Sequence, residues 1–149
     1  MLCCISGASG PLIYTGPARC PVVRTLLIRG LISRRGEATL ELDVLGSEGA
    51  RLVTTVLLDT GFNGFLTLPK ETIRSLRLPH LGIGEAFLAD GSAISVSIFS
   101  AEVRWHKSDI RVFVAQAEGA PLAGMALLDG SRVTMNVIEN GEVTIEPLV

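Results

Sequence analysis

The 149-residue sequence lacks the features that define several large classes of protein. It has no apolar stretch long enough to span a bilayer as a helix, so we expect no membrane partner. Its net charge is −2 and Arg34-Arg35 is its only adjacent basic pair, so we expect no nucleic-acid partner. Aromatic residues make up only 5% of the chain, which leaves leucine, valine and isoleucine to build the core.

Cysteine is scarce, and all three copies, Cys3, Cys4 and Cys20, fall within the first 20 residues. An odd number argues against a closed disulfide framework. This segment also lacks the basic start of a secretion signal, and glycine and proline interrupt its apolar positions. We therefore expect residues 1–25 to be a leader that is disordered or not part of the domain. Residues 26–149 are expected to form one domain in the cytoplasm, with a lipid anchor on Cys3-Cys4 as the weaker alternative.

From residue 26 onward the sequence predicts an all-β domain with one or two short helices. Leu40, Leu42 and Val44 alternate with polar residues, as in a strand that buries one face. Short helices are predicted after Pro69 and over residues 121–128. The many glycines and prolines between apolar segments are typical of a small β-barrel or β-sandwich.

The second half of the chain carries two hairpin signals. Asp90-Gly91, followed by alternating apolar residues over 94–98, predicts a hairpin with a two-residue turn. Asn140-Gly141 predicts a closing hairpin in the same way. Trp105 and Phe113 are expected to be packing residues. The two histidines are isolated in the sequence, so we expect no metal site.

Asp59 stands where a buried strand would not normally end. It follows the apolar run Val56-Leu57-Leu58 and precedes Thr60-Gly61. Burying a lone carboxylate is costly, so this acid is either a turn residue or a working group. The residues around it leave both interpretations open.

Asp59-Thr60-Gly61 after an apolar strand resembles the catalytic loop of the retropepsin-like, or retroviral-type, aspartic proteases. The motif occurs once, and the chain is too short for two lobes, so it looks like a single-domain, bacterial-type member. Leu122-Ala123-Gly124 before a short apolar segment resembles the second signature of this family. The resemblance implies a closed acid-protease β-barrel with one or two short helices, equivalent to one lobe of pepsin.

The same resemblance implies an aspartic endopeptidase that cleaves polypeptides with water and without a cofactor. The water would be activated by paired Asp59 carboxylates of a homodimer, and residues 143–149 are the candidate dimer strand. Thr60 would bond across the dimer, and the Gly61 N–H would support the carboxylates. The residues expected to bind substrate belong to the loop, to the tip of a flap hairpin and to the second signature: Phe62, Asn63, Leu88, Ala89, Asp90, Gly91, Leu122, Ala123 and Gly124.

One position departs from the family pattern. Phe62 stands where these enzymes usually carry a small residue, so its ring is expected to narrow the cleft or to form a pocket of its own. This departure motivates an alternative, a non-catalytic peptide-binding module on the same fold. A third alternative is a structural β-domain that never dimerises through Asp59.

Overall fold

Ten strands and two short helices form in the computed structural model, which describes residues 26–149. The strands are β1 (Ile28–Ile32), β2 (Ala38–Leu45), β3 (Arg51–Leu58), β4 (Leu66–Leu68), β5 (His80–Phe87), β6 (Ala93–Trp105), β7 (Ser108–Gln116), β8 (Leu122–Ala123), β9 (Ser131–Met135) and β10 (Glu142–Pro147). The helices are α1 (Lys70–Ser75) and α2 (Met125–Leu128), and a 3-10 turn spans Ser47–Gly49. The expectation of a leader over residues 1–25 lies outside the described residues.

The strands join edge to edge in the order β5-β6-β7-β4-β8-β3-β2-β1-β10-β9. A second pairing, between β2 and β6, joins two distant strands of this series, with Val44 opposite Val103. The strands from β6 through β7, β4, β8 and β3 to β2 therefore close into a ring. The prediction of a closed all-β barrel with one or two short helices is confirmed.

The core fills this ring with aliphatic side chains. Leu40, Leu42 and Val44 are at most 2% exposed, and the residues between them are more exposed, as the alternation predicted. Trp105 is also buried, in agreement with its expected packing role. Helix α1 contributes Ile73, which covers the core from one side. No helix within the described residues is long and apolar enough to cross a membrane.

Two local predictions differ from the structure. Within the helix predicted over residues 121–128, Leu122 and Ala123 form strand β8 because they pair with β3, and the helix begins only at Met125. The candidate dimer strand 143–149 stays a prediction. Strand β10 covers its residues 143–147, and it pairs with β1 on one edge as far as Ile145 and with β9 on the other edge as far as Pro147.

The hairpin between β5 and β6 also differs, because its turn has three residues and not two. The Leu88 N–H donates to the Ser92 carbonyl at 2.8 Å, and the Gly91 N–H donates to the Leu88 carbonyl at 2.9 Å. Gly91 has φ +83°, which suits glycine at the end of a three-residue loop.

Candidate active site

The backbone of Asp59 is held by the second signature. Strands β3 and β8 run parallel, with Leu58 opposite Ala123. The Asp59 N–H donates to the Ala123 carbonyl at 3.0 Å, and the Leu57 N–H donates to the Pro121 carbonyl at 2.9 Å. Two segments more than 60 residues apart in the printed sequence thus fix the position of one acid.

The Asp59 carboxylate has one oxygen engaged and one available. The Gly61 N–H donates to Oδ1 at 2.9 Å, whereas Oδ2 accepts no hydrogen bond within residues 26–149. A Cβ at Gly61 would lie 3.2 Å from Oδ1, so a larger residue there would crowd this bond. The Asp59 side chain is half-buried, and Thr60 and Gly61 are exposed. Asp59 is therefore a turn residue that also presents a free carboxylate oxygen.

The loop after Asp59 is locked to the start of helix α2. The Met125 N–H donates to the Phe62 carbonyl at 2.8 Å, and the Ala126 N–H donates to the Gly64 carbonyl at 3.2 Å. The first N–H groups of a helix have no partner inside it, and α2 has no side-chain cap. Carbonyl groups of the Asp59 loop satisfy them instead, so the loop and the helix hold each other in place.

The ring of Phe62 rests on two glycines. A Cβ on Gly64 would lie 2.4 Å from the Phe62 ring, and a Cβ on Gly124 would lie 2.5 Å from it. Only residues without a side chain leave room for the ring at these two positions. Gly124, the glycine of the second signature, thus leaves the space that the ring of Phe62 occupies, and Phe62 is the residue that departs from the family pattern.

A cleft of about 420 Å³ lies between this loop and the β5–β6 hairpin. Its aromatic lining consists of Phe62, Phe65, Phe87 and Phe113, of which Phe65 and Phe113 meet edge to face with centroids 6.2 Å apart. Val96 and Ile98 of β6 add aliphatic surface. Phe113, expected to be a packing residue, is 58% exposed because Val112 and Val114 take the core-facing side of β7.

The predicted site residues fall into three groups. Gly61, Phe62 and Asn63 line the cleft, whereas Asp59 and Thr60 precede them and lie outside its lining. The tip residues Leu88, Ala89, Asp90 and Gly91 are exposed and also lie outside the lining. Leu122, Ala123 and Gly124 pack behind the Asp59 loop and lie outside the lining of the cleft. Ala123 and Gly124 are also buried.

The first strand of the hairpin, and not its tip, supplies the facing wall. Glu85, Ala86 and Phe87 line the cleft, and sequence reasoning did not select them. Their position directly before the turn was the available signal. Phe87 is 75% exposed.

Hydrogen bonds within the turn fix the conformation of the hairpin tip. The Ser92 hydroxyl and the Ser92 N–H both donate to Asp90 Oδ1, at 2.6 and 2.8 Å. These bonds, the hydroxyl first, lower the pKa of Asp90 below its ordinary value. No three His, Cys, Asp or Glu side chains come together as a metal site in the part of the chain that the structure describes.

Comparison with known proteins bears on the fold. A search of solved structures finds a crystal structure of a retropepsin-like aspartic protease from Rickettsia conorii, at 16% identity. The match covers 81% of this chain and 90% of that one, with a TM-score of 0.53. No protein-family model matches the sequence. No curated protein matches it either. The chain has a retropepsin-like fold.

Proposed function

We propose that this protein is an aspartic endopeptidase that acts as a homodimer with Asp59 as its catalytic residue. The observation that carries the proposal is the state of the Asp59 carboxylate. It is half-buried at the end of a barrel strand, fixed through Oδ1, and keeps Oδ2 without a hydrogen bond among residues 26–149. The retropepsin-like aspartic protease of Rickettsia conorii shares the fold that supports this loop.

Peptide hydrolysis by this route needs two carboxylates that share one proton. Two such groups in close contact cannot both ionise, so one takes a proton from water while the other hydrogen-bonds the scissile carbonyl. One chain offers a single Asp59 loop. A two-fold axis beside the loop would bring each Asp59 near its copy, because an isologous interface places equivalent residues together.

The neighbouring residues take supporting roles in this proposal. Thr60 is exposed and makes no hydrogen bond within the described chain, which leaves its hydroxyl available to a partner subunit. The Gly61 N–H holds one carboxylate oxygen in place. Ala123 and Gly124 position the loop through backbone contacts and do not touch substrate.

The cleft would hold an extended peptide against Phe62 and Asn63. The β5–β6 hairpin would cover the peptide, with Ala86, Val96 and Ile98 on the inner wall and Leu88-Ala89-Asp90-Gly91 as the moving tip. Closure of such a hairpin excludes water from the reacting groups, which strengthens electrostatic interactions there.

Replacement of one oxygen of Asp59 tests the proposal. Asp59→Asn keeps the shape of the side chain but cannot ionise, so cleavage of a diverse peptide pool should stop while the fold is retained. Asp129→Asn, an exposed carboxylate beyond α2, is the matched control and should cleave like the wild type. Undiminished cleavage by Asp59→Asn in a clean preparation would refute the proposal.

A second candidate function is peptide binding without turnover. The aromatic rings of the cleft, Phe62, Phe65, Phe87 and Phe113, come together within one chain, whereas the carboxylate pair requires two chains. A binding module would therefore need no dimer. It would bind the same peptides in the wild type and in Asp59→Asn, and neither protein would release products at any pH.

A further inference from the structure

The cleft adjoins a second, smaller space of about 260 Å³. The two spaces share Ile98 and Phe113 in their linings, so they meet at these two side chains. Strand β5 supplies the rest of the smaller lining, with Leu81, Gly82 and Ile83. No residue of the Asp59 loop belongs to this lining, so the second space lies on the side of Phe113 away from that loop.

The strand register places Ile98 and Phe113 on the side of the sheet that faces the cleft. Ile98 lies opposite Gly82 on β5 and opposite Ala115 on β7. Phe113 comes two residues before Ala115, so its ring projects from the same face of the sheet as Ile98. A Cβ on Gly82 would meet no atom within 4 Å beyond its chain neighbours, so the surface beside Ile98 is open on this strand.

Phe113 presents apolar surface to water where the two spaces meet. Its ring is more than half exposed, and its ring partner Phe65 lines the cleft but not the second space. Leu81 and Ile83 are also more than half exposed. Large apolar side chains that cluster at the surface in this way mark a binding surface. An apolar group packed on them would remove this surface from water, which is favourable.

We propose that Ile98 and Phe113 form a subsite for a large apolar side chain, aliphatic or aromatic, of an extended peptide that lies in the cleft. This inference rests on the peptide-binding cleft of the proposed function. Because the second space is continuous with the cleft, its occupant is the part of the same peptide that passes Phe113. All five side chains of its lining lack polar atoms, so a polar group there would lose water without gaining a hydrogen bond to them.

Binding and not cleavage is the appropriate measurement. The full chain carrying Asp59→Asn is titrated with fluorescent peptides that differ only in having leucine, asparagine or glutamate at one scanned position. Asparagine keeps the approximate size of leucine and makes it polar. Each peptide is measured with Phe113 intact, with Phe113→Lys and with Val53→Lys. Val53 of β3 is exposed to a similar extent and lines neither space, so it is the matched control.

At the position that reaches the subsite, the leucine peptide should bind about threefold to tenfold more tightly than the asparagine peptide. Val53→Lys should retain this preference. Phe113→Lys should abolish it and should favour the glutamate peptide at the same position, because opposite charges then meet. Added salt should weaken that new preference. A misfolded barrel cannot produce such a gain.

A leucine preference that survives Phe113→Lys at every position would overturn the inference, as would equal binding of leucine and asparagine or the absence of any peptide binding. Self-association that depends on Phe113 without a peptide preference, measured by sedimentation, would assign the surface to a second copy and would also overturn it. The outcome is independent of turnover. A Phe113-dependent leucine preference in a protein that cleaves nothing would uphold this inference and refute the endopeptidase. Cleavage without that preference would do the reverse.

Discussion

Replacing Gly124 by alanine should destabilise the protein through lack of space alone. Gly124 has φ −103° and ψ −175°, an extended conformation that alanine adopts without strain. Its Cβ, however, would lie 2.3 Å from the Gly64 carbonyl oxygen and 2.5 Å from both the Phe62 carbonyl oxygen and its ring. The added methyl group therefore meets backbone atoms of the loop that follows Asp59.

The expected loss of stability depends on the hydrogen bonds that the Phe62 and Gly64 carbonyl oxygens accept. Both carbonyl oxygens accept hydrogen bonds from the start of α2, from Met125 and Ala126, so they cannot move aside without weakening those bonds. Overpacking a well-filled site costs about 1–3 kcal/mol, and here the upper end applies because two bonded backbone groups are involved. A loss of about 3 kcal/mol should lower Tm by about 10 °C.

Thermal and urea unfolding of Gly124→Ala beside Gly130→Ala measures this difference. Gly130 lies just beyond α2 with φ +70° and open space around it, so its replacement costs only conformational strain, about 1 kcal/mol. A Gly124→Ala protein within about 0.5 kcal/mol of the wild type would refute the interlocked arrangement of loop and helix.

Three further predictions concern the cleft and its hairpin. Phe62→Ala should cost about 2 kcal/mol, because its half-buried ring covers two glycines, and in a peptide-binding screen it should admit bulkier side chains. Gly91→Ala, at φ +83°, should weaken the tip by about 1 kcal/mol, seen as about fivefold faster hydrogen exchange at Leu88 with an unchanged Tm. The hydrogen bonds from Ser92 lower the pKa of Asp90 below its ordinary value of 3.8. These bonds therefore stabilise the hairpin tip fully at a pH above 3.8, and the stabilisation is lost as the pH falls through the lowered pKa. An NMR titration of the Ser92 amide should show this loss in acid, and a constant amide shift would contradict it.

The parts of the fold that the sequence predicted are those set by local pattern. Leu40, Leu42 and Val44 alternate strictly, so the buried face of β2 was readable. The apolar run before Asp59 likewise predicted a strand that enters the interior, and Val56 is fully buried. The face that a strand buries can be predicted from the alternation of apolar and polar residues in its own sequence, which is why these two predictions hold.

The parts that the sequence did not predict depend on distant pairing. Strand β8 has two residues, and its apolar side chains suit a helix equally well until β3 and β4 pair with it. In β7 four apolar residues, Val112 to Ala115, follow one another, so periodicity could not tell which face Phe113 takes. The length of the Asp90 turn is decided by the register of Phe87 opposite Ala93, which the long strands set.

The candidate site shows the same division. Local chemistry singled out Asp59, because a carboxylate at the end of an apolar strand is unusual, but its catalytic role was inferred from the resemblance of Asp59-Thr60-Gly61 to a family motif. Glu85 was missed because nothing in its own segment distinguishes a cleft wall from a solvated strand. Only the fold places Glu85 among the residues that line the cleft.

Mixing two forms of the protein tests the paired Asp59 carboxylates most directly. Wild-type protein at a fixed concentration is titrated with Asp59→Asn under conditions where subunits exchange, and peptide cleavage is measured. If each site needs one Asp59 from each subunit, a tenfold excess of the variant should reduce cleavage to about a tenth, since nearly every wild-type subunit then has an inactive partner. Asp129→Asn added in the same excess is itself active, so it should instead raise cleavage about elevenfold. Cleavage that stays constant as Asp59→Asn is added would contradict a shared dimeric site.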